Sequence, residues 1–426
     1  MEALSRLIIG NDRKNPEKRN IIWNMIGSFL YALASMVLTI AVIQIAGEDA
    51  GGIFTFAFTT FGQHMFMVAY FGIRPFQITD TGNRYSFGEY LGLRLLTCLF
   101  ALTVGAFYVG INGYSFVKGA TVFLMVVYKV IDALADAYEA EFQRQGRLYL
   151  TGKSNAFRTI LSVTVFLSAL SVQKNLVAAS MAAVAAQVAG FLIFDVLVIR
   201  ALPDVDWKKS RGKIANLFRD NTLLFFSVIL DFYIFSASKY AVESCMTDRD
   251  MAVYGAIFMP TSVINLVAGF VIRPYLTKMA FAWEMNRTRQ FRELIGRLAA
   301  VIGGLTVLAV GDAWFLGIPV LSILYSNISY ALADCRAALV LIIAGGALNA
   351  FMNLFYYSLI IMKKQRFIFA GYGIVGILAY LISEPFTRAW GLTGGSASYV
   401  FLMAALMAVF GVLAMYFILK KERDGQ

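Results

Sequence analysis

A stripe of charged and polar side chains runs along one segment of an otherwise apolar chain. Lys129, Asp132, Asp136, Glu139 and Gln143 are three or four residues apart, and this spacing places them on one face of a helix. An ionisable group in hydrocarbon costs about 3 kcal/mol, so those that are retained usually face protein or a water-filled cavity. Two interpretations are open: an ion pair between Lys129 and Asp132 that holds helices together, or a polar wall that lines a substrate cavity.

Other ionisable side chains also lie inside apolar segments. Arg94 lies about one turn into its segment, Asp231 lies near the middle of another, and Lys239 follows Asp231 by two turns. Positive charges that face a shared cleft would bind an anion, most simply a phosphate or diphosphate group. The alternative for Arg94 and Lys239 is that their long side chains extend to the nearer lipid headgroups. The predicted substrate-binding residues are Arg94, Lys129, Asp132, Asp136, Asp231 and Lys239.

The only histidine, His64, lies inside an apolar segment beside Gln63. A histidine can relay protons because imidazole titrates near neutral pH, but an intramembrane histidine also serves simply to hydrogen-bond a neighbouring helix. Catalytic chemistry is poorly supported, since the chain has no nucleotide-binding loop, no zinc-protease motif and no nucleophile elbow. Its three cysteines form no CxxC pair, which indicates neither a disulfide framework nor a metal site. We predict that the protein is not an enzyme and holds no metal or cofactor.

Composition identifies the elements that must position these side chains. Of the 426 residues, 59% are hydrophobic and only 15% are charged, whereas a water-soluble domain needs more charge on its surface. About 20 apolar residues form a helix that crosses ~30 Å of hydrocarbon. We therefore predict an all-α integral membrane protein with twelve transmembrane helices. The predicted spans are 20–46, 51–72, 91–111, 116–138, 156–172, 177–199, 221–243, 252–273, 294–318, 336–361, 367–387 and 394–419.

The net charge of +11 follows from this topology. Most of the 37 Lys and Arg residues fall in alternate loops, on one side of the predicted membrane, as the positive-inside rule requires of cytoplasmic loops. We predict a multi-pass protein with both termini in the cytoplasm. Because the basic excess is accounted for by topology, we expect no binding of nucleic acid.

One short phrase occurs once in each half of the chain. FGIRPFQITD contains Arg74 and FVIRPYLTKM contains Arg273, and each phrase follows the second apolar segment of its half. Arg19 and Arg219 precede the first segment of each half, and the spacing to the Arg-Pro pair agrees within one residue. Proline disfavours helix in the residue before it, so each pair alone is a common helix stop. Two pairs in register are better explained by duplication.

The duplication predicts two pseudo-repeated six-helix lobes. An even number of spans per repeat relates the halves by an axis along the membrane normal. We assign the lobes to residues 1–203 and 221–426, with a basic cytoplasmic linker at 204–220. Arg74 and Arg273 are then expected at equivalent places, at the cytoplasmic mouth of each lobe.

Two phrases suggest a family. YFGIRPFQITD followed by YSFGEYLGLR, and KVIDALADAYEAEFQRQGRL closing on Gly152 and Lys153, resemble the polysaccharide (lipid-linked oligosaccharide) flippases of the multidrug, oligosaccharidyl-lipid and polysaccharide (MOP) exporter superfamily. The resemblance implies a bacterial cytoplasmic (inner) membrane protein whose two lobes open alternately to each side. It would move a polyprenyl-diphosphate-linked oligosaccharide to the outer leaflet for cell-surface polysaccharide export. No family residue with an established role maps one to one onto this chain.

The resemblance also implies partners and energetics. The expected partners are the lipid-linked glycan, membrane lipids, and the polysaccharide polymerase and glycosyltransferases that make and use that glycan. Coupling to a sodium or proton gradient is considered, and no cofactor is expected.

Two alternatives are considered, one a second kind of transporter and the other an enzyme. A multidrug and toxin extrusion (MATE) antiporter shares the fold but exports organic cations, and it needs a carboxylate in its first or seventh helix. The span 20–46 offers only Asn24 and Gln44 as polar anchors, whereas Asp231 in the span 221–243 keeps this alternative open. A membrane-embedded glycan ligase or transferase would need a large extramembrane loop with paired carboxylates, and the outer loops here are too short.

Overall fold

The computed structural model describes residues 5, 8–10, 16–80, 84–202 and 205–424. Within these ranges the chain is helical, with short turns between helices and no β-strand. It divides into two compact units, Met1–Ile229 and Leu230–Gln426. The division falls inside a continuous helix, and the predicted boundary at 203 and 204 lies outside the described residues.

Among the residues described, the first unit contains seven helices and the beginning of an eighth. These are α1 (Pro16–Ala46), α2 (Glu48–Thr55, a π-helical Phe56–Phe61, then Gly62–Tyr70), α3 (Ile73–Thr79), α4 (Phe87–Ile111), α5 (Phe116–Arg144), α6 (Leu148–Gln173), α7 (Leu176–Arg200) and α8 (Arg211–Cys245). Helix α8 begins in the first unit and ends in the second.

The second unit continues with helices that follow α8. They are α9 (Asp248–Tyr275), α10 (Leu276–Glu284), α11 (Thr288–Leu324), α12 (Ser326–Ile361) and α13 (Gln365–Asp424). Helix α13 is interrupted at Trp390 and Gly391, whose backbone angles are not helical.

The helices confirm an all-α integral membrane protein. Nine helices in the described part of the chain are long and apolar enough to cross a membrane. Helices α2 and α5 are not among the nine, since Gln63 and His64 lower the hydropathy of α2 and the charged stripe lies on α5. Helix α13 is counted once in spite of its interruption.

Helix ends follow local chemistry. Ser86 begins α4 with a capping box: its hydroxyl accepts a hydrogen bond from the Glu89 backbone N–H at 3.2 Å, and the Glu89 carboxylate accepts one from the Ser86 N–H at 2.9 Å. Helix α2 ends at Phe71 and Gly72, which have left-handed φ angles of 54° and 64°. The chain therefore turns sharply before Arg74. In the second unit, Arg273 begins the 3₁₀ turn that closes α9, with no left-handed residue before it.

Close packing of α1 against α6 fixes the position of α6. A Cβ atom added at Gly152 would overlap the backbone of Trp23 and Asn24, so only glycine allows these helices to approach so closely. Asn20 joins the beginnings of both helices, because its amide donates to the Gly146 carbonyl at 3.0 Å and accepts from the Tyr149 N–H at 2.8 Å. Helix α6 is therefore held in register with α1.

Several helices begin earlier than their predicted spans, and α6 and α8 are among those with the largest differences. Helix α6 begins at Leu148 rather than 156, and α8 begins at Arg211 rather than 221. Hydropathy alone does not reveal these beginnings, because Arg147 and Lys153 flank the first turn of α6, and Arg211 and Lys213 lie in the first turn of α8. The earlier beginning of α6 puts Arg158 almost three turns inside the helix.

Candidate functional site

Arg158 is the centre of a buried ion cluster in the first unit. It lies on α6 with 2% of its surface exposed. Its guanidinium donates to Asp132 and Glu139 of α5, each at 3.0 Å, and to Asp195 of α7 at 2.9 Å. One cation therefore faces three carboxylates and joins three helices.

Additional hydrogen bonds satisfy the carboxylates of this cluster. Asp132 accepts from the Gln187 amide at 2.9 Å and from the Tyr31 hydroxyl at 2.8 Å. Asp195 accepts from the Ser154 hydroxyl at 2.7 Å. Buried charges are tolerated when they are paired and hydrogen-bonded in this way. The cluster thereby extends from α5, α6 and α7 to α1.

Two further arginines, Arg94 and Arg74, share the carboxylate of Asp136. Arg94, fully buried on α4, donates to Asp136 at 2.9 Å and to the Ala69 carbonyl at 3.0 Å. Arg74 on α3 pairs with the same carboxylate and also donates to Gln143 at 3.1 Å. A distance of 3.6 Å between Arg74 and Glu139 joins this group to the Arg158 cluster. The predicted stripe on α5 is thus a contiguous charged network within the first unit.

Lys129 lies apart from this pairing. It is 2% exposed, its ammonium is 4.1 Å from the centre of the Phe58 ring, and it donates to the Tyr31 hydroxyl at 3.4 Å. None of the described carboxylates is within ion-pair distance of it. Tyr31 instead bridges Lys129 and Asp132. The direct ion pair considered from the sequence is replaced by a cation–π contact and this bridge.

Lys239 has a similar environment in the second unit. It lies on α8, is 8% exposed, and places its ammonium 4.0 Å from the centre of the Phe258 ring. Asp231, two turns earlier on α8, is hydrogen-bonded by Tyr372. Neither side chain forms an ion pair with any residue that the structure describes. Each unit therefore holds one buried lysine against a phenylalanine ring at about 4 Å.

A cavity of about 1000 Å³ lies within the first unit, between α2, α4 and the first half of α8. Its lining is mainly aliphatic and aromatic, and His64 and Thr97 are among its few polar residues. Arg211 lies at one end. The predicted site residues Arg94 and Lys129 do not line this cavity, and neither do the two aspartates of the stripe.

The two Arg-Pro pairs lie in different environments. Arg74 is partly buried and pairs with Asp136, whereas Arg273 is exposed and forms no ion pair with the described residues. Arg74 follows α2, whereas Arg273 lies in the last turn of α9. Their predicted role at the cytoplasmic mouths, like the substrate-binding role of the other named residues, stays a prediction.

Sequence reasoning missed Arg158 and Asp195. Arg158 falls at the predicted beginning of the span 156–172, where a basic residue is ordinary at the cytoplasmic face. Asp195 carried a usable signal, because it is the only charged residue in the predicted span 177–199. An isolated carboxylate in an apolar helix implies a partner on a neighbouring helix.

Comparison with known proteins shows the fold. No model of a known protein family matches the sequence, and no curated protein matches it significantly. Among solved structures, the chain is similar to an inward-facing multidrug resistance MATE family transporter of the MOP superfamily, with a TM-score of 0.64, 10% identity and 99% of each chain covered. It is also similar to the Vibrio cholerae MATE transporter VcmN, with a TM-score of 0.61, 12% identity and 98% of each chain covered.

A flippase has the same fold. The lipid II flippase MurJ, in an inward closed conformation, gives a TM-score of 0.61 at 11% identity, covering 94% of this chain and 90% of MurJ. All three structures are transporters or flippases rather than enzymes. The resemblance to the MOP superfamily is therefore confirmed at the level of the fold.

Proposed function

We propose that this protein is a flippase of the bacterial cytoplasmic membrane. Its substrate is a polyprenyl-diphosphate-linked oligosaccharide, which it moves to the outer leaflet by alternating access for the export of cell-surface polysaccharide. Both termini lie in the cytoplasm. The fold shared with MATE transporters and with the lipid II flippase supports a transporter of this superfamily.

The same proposal includes twelve transmembrane helices in two six-helix lobes. Helices α2 and α5 complete the first lobe, and α13 supplies two spans that meet at Trp390 and Gly391. The carboxylates of Asp132 and Asp136 on α5 are tolerated because they pair with arginines within the protein.

The proposed substrate is inferred from which buried charges lack an ion-pair partner. The carboxylates of Asp132, Asp136, Glu139 and Asp195 are paired with arginines in the first unit. In contrast, Lys129 and Lys239 contact aromatic rings and lack a described carboxylate partner. Buried positive charge without a counter-ion attracts an anion, and a diphosphate is the anionic part of the proposed substrate. The proposed binding residues are these two lysines, supported by Arg94, Asp132, Asp136 and Asp231.

Reconstitution into proteoliposomes tests the proposal. The purified chain should move a fluorescent polyprenyl-diphosphate oligosaccharide between leaflets, as measured by the fraction accessible to an impermeant quencher. Lys129→Met and Lys239→Met should each slow the flipping by at least about tenfold, since each removes a charge and keeps an apolar stem. Lys118→Met is the matched control, because Lys118 lies in the first turn of α5 and outside the charged network. Equal flipping by all three variants would exclude the lysines from substrate binding.

A cation antiporter is the second candidate, and Asp231 favours it. This carboxylate in α8 is hydrogen-bonded by Tyr372 and has no described cationic partner, so a cation is a suitable ligand for it. The test is efflux of a fluorescent organic cation driven by an imposed sodium or proton gradient. Efflux that is abolished by Asp231→Asn, together with no flipping of the glycan lipid, would select the antiporter.

Partners and energetics complete the proposal. We assign the lipid-linked glycan and membrane lipids as direct ligands, and the polysaccharide polymerase and glycosyltransferases as functional partners. A sodium or proton gradient is the proposed energy source. Flipping rates in proteoliposomes with and without each gradient test that coupling, because an uncoupled flippase gives the same rate in both.

A further inference from the structure

The cavity of the first unit is apolar and is lined by residues other than those of the charged network. Its walls are aliphatic and aromatic side chains from α2, α4 and α8, including Met65, Leu93, Phe100 and Phe225. Some of its lining residues are also open to the surface, since Leu96 is 58% exposed and Phe226 is 48% exposed. On a membrane-spanning helix an open apolar surface faces hydrocarbon. The cavity is therefore a groove that a lipid chain can enter, and we call it the α2–α4–α8 groove.

The groove is longer than one lipid leaflet. Its lining extends along α8 from Arg211 to Ile229, which is about 27 Å at ~1.5 Å per residue. Along α4 it extends from Leu93 to Val104, about 17 Å by the same rise. Half of the hydrocarbon core is only about 15 Å thick. A chain that fills the groove is therefore longer than the thickness of one leaflet, which favours a long isoprenoid chain over the acyl chains of a phospholipid.

One end of the groove is positively charged. Arg211 lines the groove, is exposed and has no ion pair among the residues described, and Lys208 and Lys209 are exposed nearby. The segment is held in place, because Trp207 packs edge-on against Phe87 at 5.0 Å. An apolar groove with a cationic end is complementary to a lipid that joins a long apolar chain to a phosphate.

We propose that the α2–α4–α8 groove binds the isoprenoid chain of a polyprenyl phosphate or diphosphate, with the phosphate at Arg211. The inference rests on the proposed function, because the same lipid carries the oligosaccharide in that proposal. It adds a defined place for the chain, away from the buried lysines. The groove would hold the lipid at the cytoplasmic end of α8 before or after transport.

Photocrosslinking of the full-length protein tests the groove directly. The photoreactive residue p-benzoyl-phenylalanine replaces Leu96 in one variant and Leu99 in the other. Both positions lie on α4 and are similarly exposed, at 58% and 63%, but only Leu96 lines the groove. With undecaprenyl phosphate as the probe, the expected result is a crosslink at position 96 that exceeds that at position 99 by at least about tenfold. Equal crosslinking at both positions, or none at 96, would overturn the proposal.

Binding measurements provide a second test that does not depend on the photoreactive residue. Native mass spectrometry of the detergent-solubilised protein should show binding of undecaprenyl phosphate at least about tenfold tighter than that of farnesyl phosphate or phosphatidylglycerol. Leu96→Trp and Ala215→Trp fill the groove and should remove this preference, whereas Leu99→Trp should keep it. Arg211→Gln should weaken undecaprenyl phosphate without affecting binding of the uncharged alcohol undecaprenol. Equal affinity for phosphatidylglycerol would reassign the groove to ordinary membrane lipid and refute the isoprenoid assignment.

The flipping assay separates failure of this inference from failure of the proposed function. If the wild-type protein flips the glycan lipid and Leu96→Trp flips it equally well with unchanged binding, the groove assignment is wrong and the function stands. If undecaprenyl phosphate binds in the groove but the wild-type protein flips no glycan lipid, the groove assignment stands and the proposed function is wrong.

Discussion

Replacing Arg158 with methionine removes the one cation that three buried carboxylates share. Methionine retains an unbranched apolar stem of similar length, so the main change is the loss of charge and of hydrogen bonds. Asp132 would keep its hydrogen bonds from Gln187 and Tyr31, and Glu139 would keep Arg74 at 3.6 Å. Asp195, fully buried, would keep only the Ser154 hydroxyl.

The expected loss of stability follows from the ion pairs and hydrogen bonds that remain. Removing one partner of a buried ion pair costs about 3 to 5 kcal/mol because the other charge is left uncompensated. For a unit the size of Met1–Ile229, each kcal/mol lowers the unfolding midpoint by about 2 to 4 °C. We therefore expect Arg158→Met to lower the midpoint by about 6 to 20 °C. Adding Asp195→Asn should recover part of this loss, since it neutralises the carboxylate with the fewest remaining partners.

Thermal unfolding in detergent, followed by intrinsic tryptophan fluorescence, measures this effect. Arg84→Met is the matched control: Arg84 lies in the same unit, but its side chain is 73% exposed and 3.7 Å from Asp220. An exposed pair of this kind contributes about 0 to 1 kcal/mol, so the control should shift by at most about 4 °C. Equal shifts for Arg158→Met and Arg84→Met would refute the conclusion that Arg158 holds the cluster together.

Three further predictions concern packing, charge and helix capping. Gly152→Ala should lower the unfolding midpoint because its Cβ meets the backbone of α1. Gly304→Ala, where a Cβ meets open space, should leave the midpoint unchanged or raise it slightly. An unchanged midpoint for Gly152→Ala would contradict the close packing of α1 against α6. Arg74→Gln should lower the midpoint and Arg273→Gln should not, because only Arg74 has described ion-pair partners, and equal shifts would show that the two environments are alike. Ser86→Ala should cost about 1 kcal/mol and speed hydrogen exchange in the first turn of α4, and unchanged exchange there would argue against the capping box.

The sequence predicted the helices well because burial in a membrane leaves a direct record in hydropathy. Long apolar segments and the alternation of basic loops both depend on the membrane rather than on contacts between helices. The stripe on α5 was also predicted, since a spacing of three and four residues defines a helix face without any knowledge of neighbours. The side chains that share one face of a helix could therefore be predicted from the sequence.

The ion-pair and hydrogen-bond partners on neighbouring helices could not be predicted in the same way. The spacing of Lys129 and Asp132 suggested a direct ion pair, but Tyr31, about a hundred positions earlier in the chain, lies between them. Arg158 was hidden by its place near a predicted helix start, although the packing of α1 and α6 brings it beside α5. Periodicity gives the face of a helix, whereas the identity of the opposite side chain depends on which helices pack together and at what height.

The ion cluster on α5, α6 and α7 also has a consequence for how the protein is made. Asp132 and Glu139 are synthesised before Arg158, and Asp195 is synthesised after it. An unpaired arginine in a newly inserted helix costs about 3 kcal/mol, and so does an unpaired aspartate. Helix α6 is therefore stabilised by α5, which precedes it out of the ribosome, while α7 needs α6 to be already in the bilayer. The cluster couples these three insertion events: Asp132 and Glu139 pair with Arg158 only once α6 is made, whereas Asp195 pairs with an arginine that is already present.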